Sequence, residues 1–217
     1  MSVAILLPTL NEAGSIGQMI ERVRAINPEY RIYVVDSGST DGTLDIARGK
    51  GAQVILVEIR GKGRAIKEAF SRIEEEQAVL LDSDLTYSPE EIPALLRALE
   101  HCDAAVGSRF RGRMEEGAMS ALNKFGNHRL TDIANLTYGK GISDVCSGFW
   151  AFRKEAYKRM VIDAPHFELE ANFFSQCAKL KLRLCEVPVS YGKRTGETKL
   201  SPLHGIKIGF YLLSHRL

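Results

Sequence analysis

Gln77-Ala-Val-Leu-Leu-Asp-Ser-Asp-Leu85 is an apolar run that stops abruptly at two carboxylates, Asp82 and Asp84. A run of this length between turn formers reads as a strand buried on both faces of a parallel sheet. Open α/β sheets bind ligands outside the carboxyl ends of their strands, which is where Asp82 and Asp84 fall. Two carboxylates two residues apart at a strand end can share one hard divalent cation, Mg2+ or Mn2+, and leave positions open for water or phosphate oxygens. Taken alone, the same pair also reads as a strand stop followed by a helix cap at Ser83, Asp84 or Ser88.

The sequence on either side supports a sheet. Upstream, residues 3–9 form an apolar run that enters the polar Asn11-Glu12 turn, and Ile16, Ile20, Val23 and Ile26 then recur at helical spacing. Residues 31–36 repeat the pattern and close on Asp36. The turn cluster 37–42 leads to a helix near 43–50, a strand at 53–58, and Gly61-Lys-Gly63 opening a helix to about Glu76. Downstream, Pro89 suits the first turn of a helix to about Glu100, and Ala104 to Arg109 is the next strand. Residues 110–125 read as a mobile loop of the kind that closes over substrates. A helix near 120–138, a helix over 168–181 and a strand at 184–189 follow, then the basic, glycine-bearing loop 191–200. The tail, 202–217, is an amphipathic helix that packs on the domain or lies on a bilayer surface. Strands alternating with helices predict right-handed βαβ units, a mostly parallel sheet flanked by helices, and one domain over 1–217. Asn11, Glu12, Asp36, Asp82, Asp84 and Arg109 then gather on one sheet edge.

Composition narrows the function classes. With 217 residues, 26% charged and a formal net charge of +2, there is no broad basic footprint, so nucleic acid is not an expected partner. Cys102, Cys146, Cys177 and Cys185 are scattered without a CxxC pair, and read as reduced, mostly buried thiols rather than a disulfide frame or zinc site. No run approaches the roughly 20 apolar residues that span a bilayer. A cytoplasmic protein is expected, meeting the cytosolic membrane face peripherally if at all.

Nine segments together resemble the family-2 glycosyltransferases of the GT-A (Rossmann-like) fold, and within them the dolichyl-phosphate mannose and glucose synthases. They are Pro8-Thr-Leu-Asn-Glu12, Val35-Asp-Ser-Gly-Ser-Thr-Asp-Gly42, Gly61-Lys-Gly63, Asp82-Ser-Asp84, Gly107-Ser-Arg109, Asp144-Val-Cys-Ser-Gly-Phe149, Phe167-Glu-Leu-Glu170, Glu186-Val-Pro188 and Arg194-Thr-Gly-Glu-Thr-Lys-Leu200. They occur in the family's order. The resemblance implies that Pro8, Glu12 and Asp36 line the pocket for base and ribose, with Lys62 and Gly63 in the donor-binding set. It implies that Asp82 and Asp84 hold the metal against the diphosphate, and that Arg194 and Lys199 clamp that diphosphate. Arg109, with Lys124 or His128, would hold an acceptor phosphate. The chain departs from the family pattern at Thr86, at Asn123-Lys-Phe-Gly-Asn-His128 and at Trp150, where a stacking residue would mark a different sugar or acceptor.

The implied reaction moves a hexose from a nucleotide diphosphate sugar (GDP-mannose or a UDP-hexose) to a polyprenyl or dolichyl phosphate, met through the tail helix or a membrane partner subunit. A phosphate monoester is already anionic at neutral pH, so no general base is essential. The protein must supply charge neutralisation and in-line alignment. A saccharide or protein hydroxyl acceptor would instead need a carboxylate base, for which Glu168 or Glu170 is the candidate. A nucleotide-sugar-binding subunit without turnover is a further alternative.

Overall fold

A computed structural model describes residues 1–194 and 202–216, apart from the side chains of 202 and 203. Seven strands form one sheet in the order β3-β2-β1-β4-β6-β5-β7. The strands are β1 (Val3–Thr9), β2 (Arg31–Asp36), β3 (Gln53–Leu56), β4 (Gln77–Leu80), β5 (Ala104–Ser108), β6 (Trp150–Arg153) and β7 (Leu184–Pro188). Six run the same way, while β6 lies antiparallel between β4 and β5. The sheet is therefore mostly parallel, as expected. The stretch that ends on Asp82 and Asp84 is shorter as a strand than the sequence suggested, since β4 stops at Leu80 and both carboxylates lie just past its end.

Strand alternation divides the core in two. Val3, Ile5, Leu7, Val79 and Leu81 face one side, against α1 (Ile16–Ile26), α2 (Thr43–Gly49) and α4 (Ile92–Ala98). Ala4, Leu6, Ala78, Leu80, Trp150 and Phe152 face the other. That face is covered by α3 (Lys62–Arg72), α5 (Ala121–Tyr138), the short α6 (Lys154–Tyr157), α7 (Leu169–Lys179) and α8 (Pro202–Ser214). Every residue of α7 from Leu169 to Ala178 is buried. Trp150 belongs to this core: it is fully buried, stacks on Phe152 at 5.7 Å and donates from Nε1 to the Ser147 carbonyl. The expectation that it marks sugar or acceptor choice is thereby corrected, because residues 150 and 152 share a strand face that points into the helix layer.

Two further expectations change. Cys102 and Cys185 form a disulfide, with Cα atoms 6.0 Å apart, while Cys146 and Cys177 are free. The parallel pairing of β5 with β7 brings these positions together, and a separation of 83 residues gives no hint of it in sequence. The reading of four reduced thiols is thereby corrected for Cys102 and Cys185. The segment expected to be a mobile loop is laced in place: Tyr191 N–H donates to the Arg113 carbonyl and Glu115 N–H donates to that of Tyr191. Among the described residues, no helix is long and apolar enough to cross a membrane.

Candidate active site

The carboxyl ends of β1, β4 and β5 and the entry of β6 open into one cleft of about 730 Å³, large enough for a nucleotide sugar. Asp82 and Asp84 lie on its floor, with Pro8, Glu12, Lys62, Arg109, Glu170 and Arg194 around them. Eight of the residues singled out from sequence therefore converge.

Local backbone fixes the acidic pair. Leu85 adopts the left-handed region (φ 63°), which folds the chain so that Thr86 donates from both N–H (3.0 Å) and Oγ1 (2.6 Å) to Asp84 Oδ1. A branched apolar residue is seldom found there, and such strain is concentrated at functional turns. Thr86 thus orients the carboxylate. Asp84 is buried, and burial with the neighbouring Asp82 charge raises its pKa, partly offset by Thr86 and Arg194. Asp82 packs on Gly148, where an added Cβ would fall 2.2 Å from Oδ2.

Both carboxylates carry a cation. Lys62 Nζ lies 2.6 Å from Asp82 Oδ1 and 2.6 Å from Glu170 Oε1. Burial works against the Lys62 charge, but the two carboxylates outweigh it and hold the pKa above the usual ammonium range. Burial raises that of Glu170, with Lys62 pulling the other way. Arg194 reaches Asp84 Oδ2 through Nη1 (2.7 Å) and Glu12 Oε1 through Nη2 (2.9 Å). Arg194 Nε is buried and, among the described residues, has no hydrogen-bond acceptor.

Gly61 and Gly63 explain the position of Lys62. A Cβ on Gly61 (φ 144°) would meet the Pro165 carbonyl at 2.2 Å, and one on Gly63 would meet that of Ala164 at 1.7 Å. The two glycines let the start of α3 press against Ala164-Pro165, with Lys62 directed at the carboxylates. Gly63 itself does not line the cleft and is a packing residue, which corrects its assignment to donor binding. Asp36 is also corrected. It is fully buried, outside the cleft wall, and its carboxylate takes Thr9 Oγ1, Ser39 Oγ and the N–H groups of Gly38 and Ser39. It shapes the loop that presents Ser37 to the cleft.

Arg109 is buried at the other end of the floor and bidentate on Asp144, with Nε to Oδ2 and Nη2 to Oδ1 both at 2.7 Å. Its guanidinium lies 5.2 Å from the centroid of Tyr191. Burial opposes the charge, but Tyr87 and Asp144 hold the pKa well above the ordinary arginine value. Asn127 Oδ1 accepts from Arg109 Nη2 at 3.4 Å. The α5 residues on the wall are Leu122, Asn123, Gly126, Asn127 and Leu130, at helical spacing. Lys124 and His128 fall one position out of phase and do not line the cleft, and His128 stacks on Phe110 at 4.2 Å. The acceptor-phosphate assignment of these two is corrected accordingly. Asn123 and Asn127 were missed, although the α5 helical phase carried the signal. Lys199 lies outside the described residues.

The outer wall is apolar, built by Met119, Leu122 and Leu130 from the α5 side and Ile208 from α8. The two helices are joined where Tyr138 Oη donates to the carbonyls of Leu212 (3.1 Å) and His215 (2.9 Å). Both also carry exposed apolar side chains: Leu122, Phe125 and Leu136 on α5, and Ile206, Phe210 and Leu213 on α8.

This sheet order, with an acidic pair past a mid-sheet strand and a cleft across the rim, is the GT-A architecture of nucleotide-sugar enzymes. Residues 4–161 match the description "Glycosyl transferase family 2", and the chain belongs to that family. Haloferax volcanii supplies three relatives. The low-salt glycan biosynthesis hexosyltransferase Agl6 is 37% identical over 92% of this chain and 50% of its own length. The glycosyltransferase AglJ is 34% identical over 99% and 72%, and a dolichyl-phosphate hexose transferase 31% over 94% and 88%. The chain thus spans half the length of Agl6. Among solved structures, glucosyl-3-phosphoglycerate synthase from Mycobacterium tuberculosis with phosphoglyceric acid aligns with a TM-score of 0.79, over 99% of this chain and 80% of that one, at 22% identity. That likeness is one of fold.

Proposed function

We propose that the chain is an inverting, metal-dependent hexosyltransferase that moves one hexose from a nucleoside diphosphate sugar to a polyprenyl (dolichyl-type) phosphate. The observation that carries this reading is the cleft itself. One end of the floor holds the acidic pair with Lys62 and Arg194, the other holds Arg109, and the outer wall is the apolar α5–α8 pair. A lipid phosphate needs that sequence of environments. The names of the Haloferax volcanii dolichyl-phosphate hexose transferase and of a Micrococcus luteus undecaprenyl-phosphate mannosyltransferase, 30% identical over 93% of the chain, support the acceptor class.

Two oxygen-donor carboxylates suit Mg2+ or Mn2+, and their oxygens already face cations in Lys62 and Arg194. The Mycobacterium tuberculosis synthase has been crystallised with Mn2+ and UDP, which supports a divalent ion here. Held by Asp82 and Asp84, such an ion would neutralise charge on the departing diphosphate. Arg194, whose Nε is free to donate, and Lys62 would bind the phosphate oxygens. Arg109, fixed by Asp144, and Asn127 would orient the acceptor phosphate. An acceptor oxygen then forms its bond to the anomeric carbon as the bond to the diphosphate breaks, the electron pair leaving on the diphosphate oxygen. No proton has to be removed. The hydroxyl-acceptor alternative needs an available base. Glu170 is instead held by Lys62, and Glu168 does not line the cleft.

The exposed apolar residues of α5 and α8, together with exposed Lys124, Arg129 and Lys207, suit contact with an anionic membrane surface, which we place at the cytosolic face. A panel of GDP- and UDP-sugars with Mn2+ and a short polyprenyl phosphate, read as nucleoside diphosphate release, tests the function. Release is expected with one donor and the phosphate acceptor, and Asp84→Ala should abolish it while thermal unfolding stays that of a folded protein. Release that requires a saccharide hydroxyl and ignores polyprenyl phosphate would overturn the reading.

A further inference from the structure

Neither carboxylate of the acidic pair is bare. Asp82 is paired with Lys62, and Asp84 with Arg194. Each cation also holds a second carboxylate that lies outside the acidic pair: Glu170 for Lys62, and Glu12 for Arg194, at 2.6 and 2.9 Å. The arrangement is two carboxylate–cation–carboxylate bridges spanning one cleft.

We propose that Lys62 and Arg194 are built-in counterions of the acidic pair, exchanged in one event when ion and diphosphate arrive together. Asp82 and Asp84 pass to the ion, while Lys62 and Arg194 pass to phosphate oxygens. Glu170 and Glu12 act as positioning residues that keep both cations in the cleft throughout. The proposal rests on the reading of Asp82 and Asp84 as the ion's ligands.

The charge balance makes the exchange concerted. A dication arriving alone must take carboxylate oxygens from two cations that are only 15% and 25% exposed, leaving like charges crowded in a partly buried cleft. A diphosphate arriving alone meets two carboxylates whose cations are already committed. When both arrive, every charge keeps an opposite partner. Arg194 Nε, buried without an acceptor, is the donor left over for the incoming phosphate. Ion and nucleotide therefore strengthen each other's binding through the protein, a reciprocal coupling of the kind that typically amounts to about 5–150-fold. Glu170 has a task in this arrangement that needs no proton transfer.

The test reads Mn2+ binding to the full chain by electron paramagnetic resonance, without donor or acceptor. Arg194→Met and Lys62→Met should each tighten Mn2+ binding in the absence of nucleotide by roughly tenfold, a value within the usual coupling range. In both, added GDP or UDP should improve Mn2+ affinity by a smaller factor than in the unaltered chain. Asp84→Asn in the Arg194→Met background should remove the gain. Arg194→Lys and Lys62→Arg keep the cation and should bind like the parent. If Lys62→Met does not fold, Arg194→Met decides alone. Mn2+ affinity unchanged in Arg194→Met, or a parent chain that binds Mn2+ equally well with and without nucleotide, overturns the proposal. Sugar transfer plays no part in this readout, so failure of the proposed reaction and failure of the exchange are separate results.

Discussion

Replacing Gly148 by alanine sets one methyl group into the space of the Asp82 carboxylate. The added Cβ would lie 2.2 Å from Oδ2, 2.7 Å from Cγ and 3.0 Å from Oδ1, the first of these more than about 1 Å inside normal contact distance. Gly148 does not occupy the left-handed region, so alanine fits its backbone and the penalty is steric. Either Asp82 swings away, losing its 2.6 Å pair with Lys62, or the Ser147-Gly148 backbone shifts against Tyr87, whose Oη accepts from the Gly148 N–H at 2.8 Å. Overpacking of this kind costs about 1–3 kcal/mol, and at this chain length each kcal/mol lowers Tm by about 2–4 °C. Displacing a positioned group by about 1 Å costs on the order of 10²-fold in turnover. Calorimetry and nucleoside diphosphate release measure the two effects separately. In the double variant Asp82→Ala/Gly148→Ala the clash is gone, so the stability loss should fall well below the sum of the singles while turnover stays lost. A Gly148→Ala protein with parental Tm and parental turnover would refute the geometry argued for Asp82.

Asp144→Asn keeps the shape of the side chain but leaves Arg109, only 8% exposed, facing a neutral amide; breaking a buried pair in this way should cost about 3–5 kcal/mol in urea denaturation. Lys124→Ala and His128→Ala should leave turnover near the parental value, whereas Asn127→Ala should lower it by about tenfold or more, for loss of one transition-state hydrogen bond. Glu75, buried, is pushed up by that burial, but the Tyr33 hydroxyl at 2.8 Å, backbone N–H groups and Arg31 outweigh it and hold the carboxyl below its ordinary value of 4.5. The folded state thus binds the proton less readily than the unfolded one, so stability from Glu75 is present above pH 4.5 and lost as the pH falls through the folded value; Glu75→Gln should flatten that acid limb in pH-dependent unfolding. Phe210→Glu should weaken co-sedimentation with anionic vesicles and leave turnover on a short, soluble polyprenyl phosphate unaltered, since Phe210 is 73% exposed and outside the cleft wall.

The scaffold is legible in the sequence because strands buried on both faces must be apolar almost throughout, and the polar groups where they end are conspicuous: Glu12 after β1, Asp82 and Asp84 after β4, Arg109 after β5. What lies between elements is less so. The phase of α5 separates Asn123 and Asn127, on the wall, from Lys124 and His128, off it, and one residue of rotation is finer than charge alone can resolve. Asp36 carries the same strand-end signature as Asp82, yet four donors from its own loop and from Thr9 consume it. Gly63 reads from sequence as a donor-binding glycine because glycine serves close packing and ligand approach equally well. The reversed strand β6 follows directly on the Asp144–Phe149 segment, and four residues with one alternation leave little periodicity. The Lys62–Glu170 contact joins positions 108 residues apart and has no local trace.

The reversal of β6 has a consequence for anyone who would retarget the enzyme. Because that strand starts where its neighbours finish, the few residues ahead of it are threaded between the two halves of the catalytic rim. Asp144 braces Arg109 from behind, and Gly148 lies under Asp82. The end of the floor that carries Asp82 and the end that carries Arg109 therefore share one keel. A graft that exchanges α5 for a helix of different specificity has to carry residues 144–148 with it, or the new acceptor will arrive at a floor whose far end has tilted.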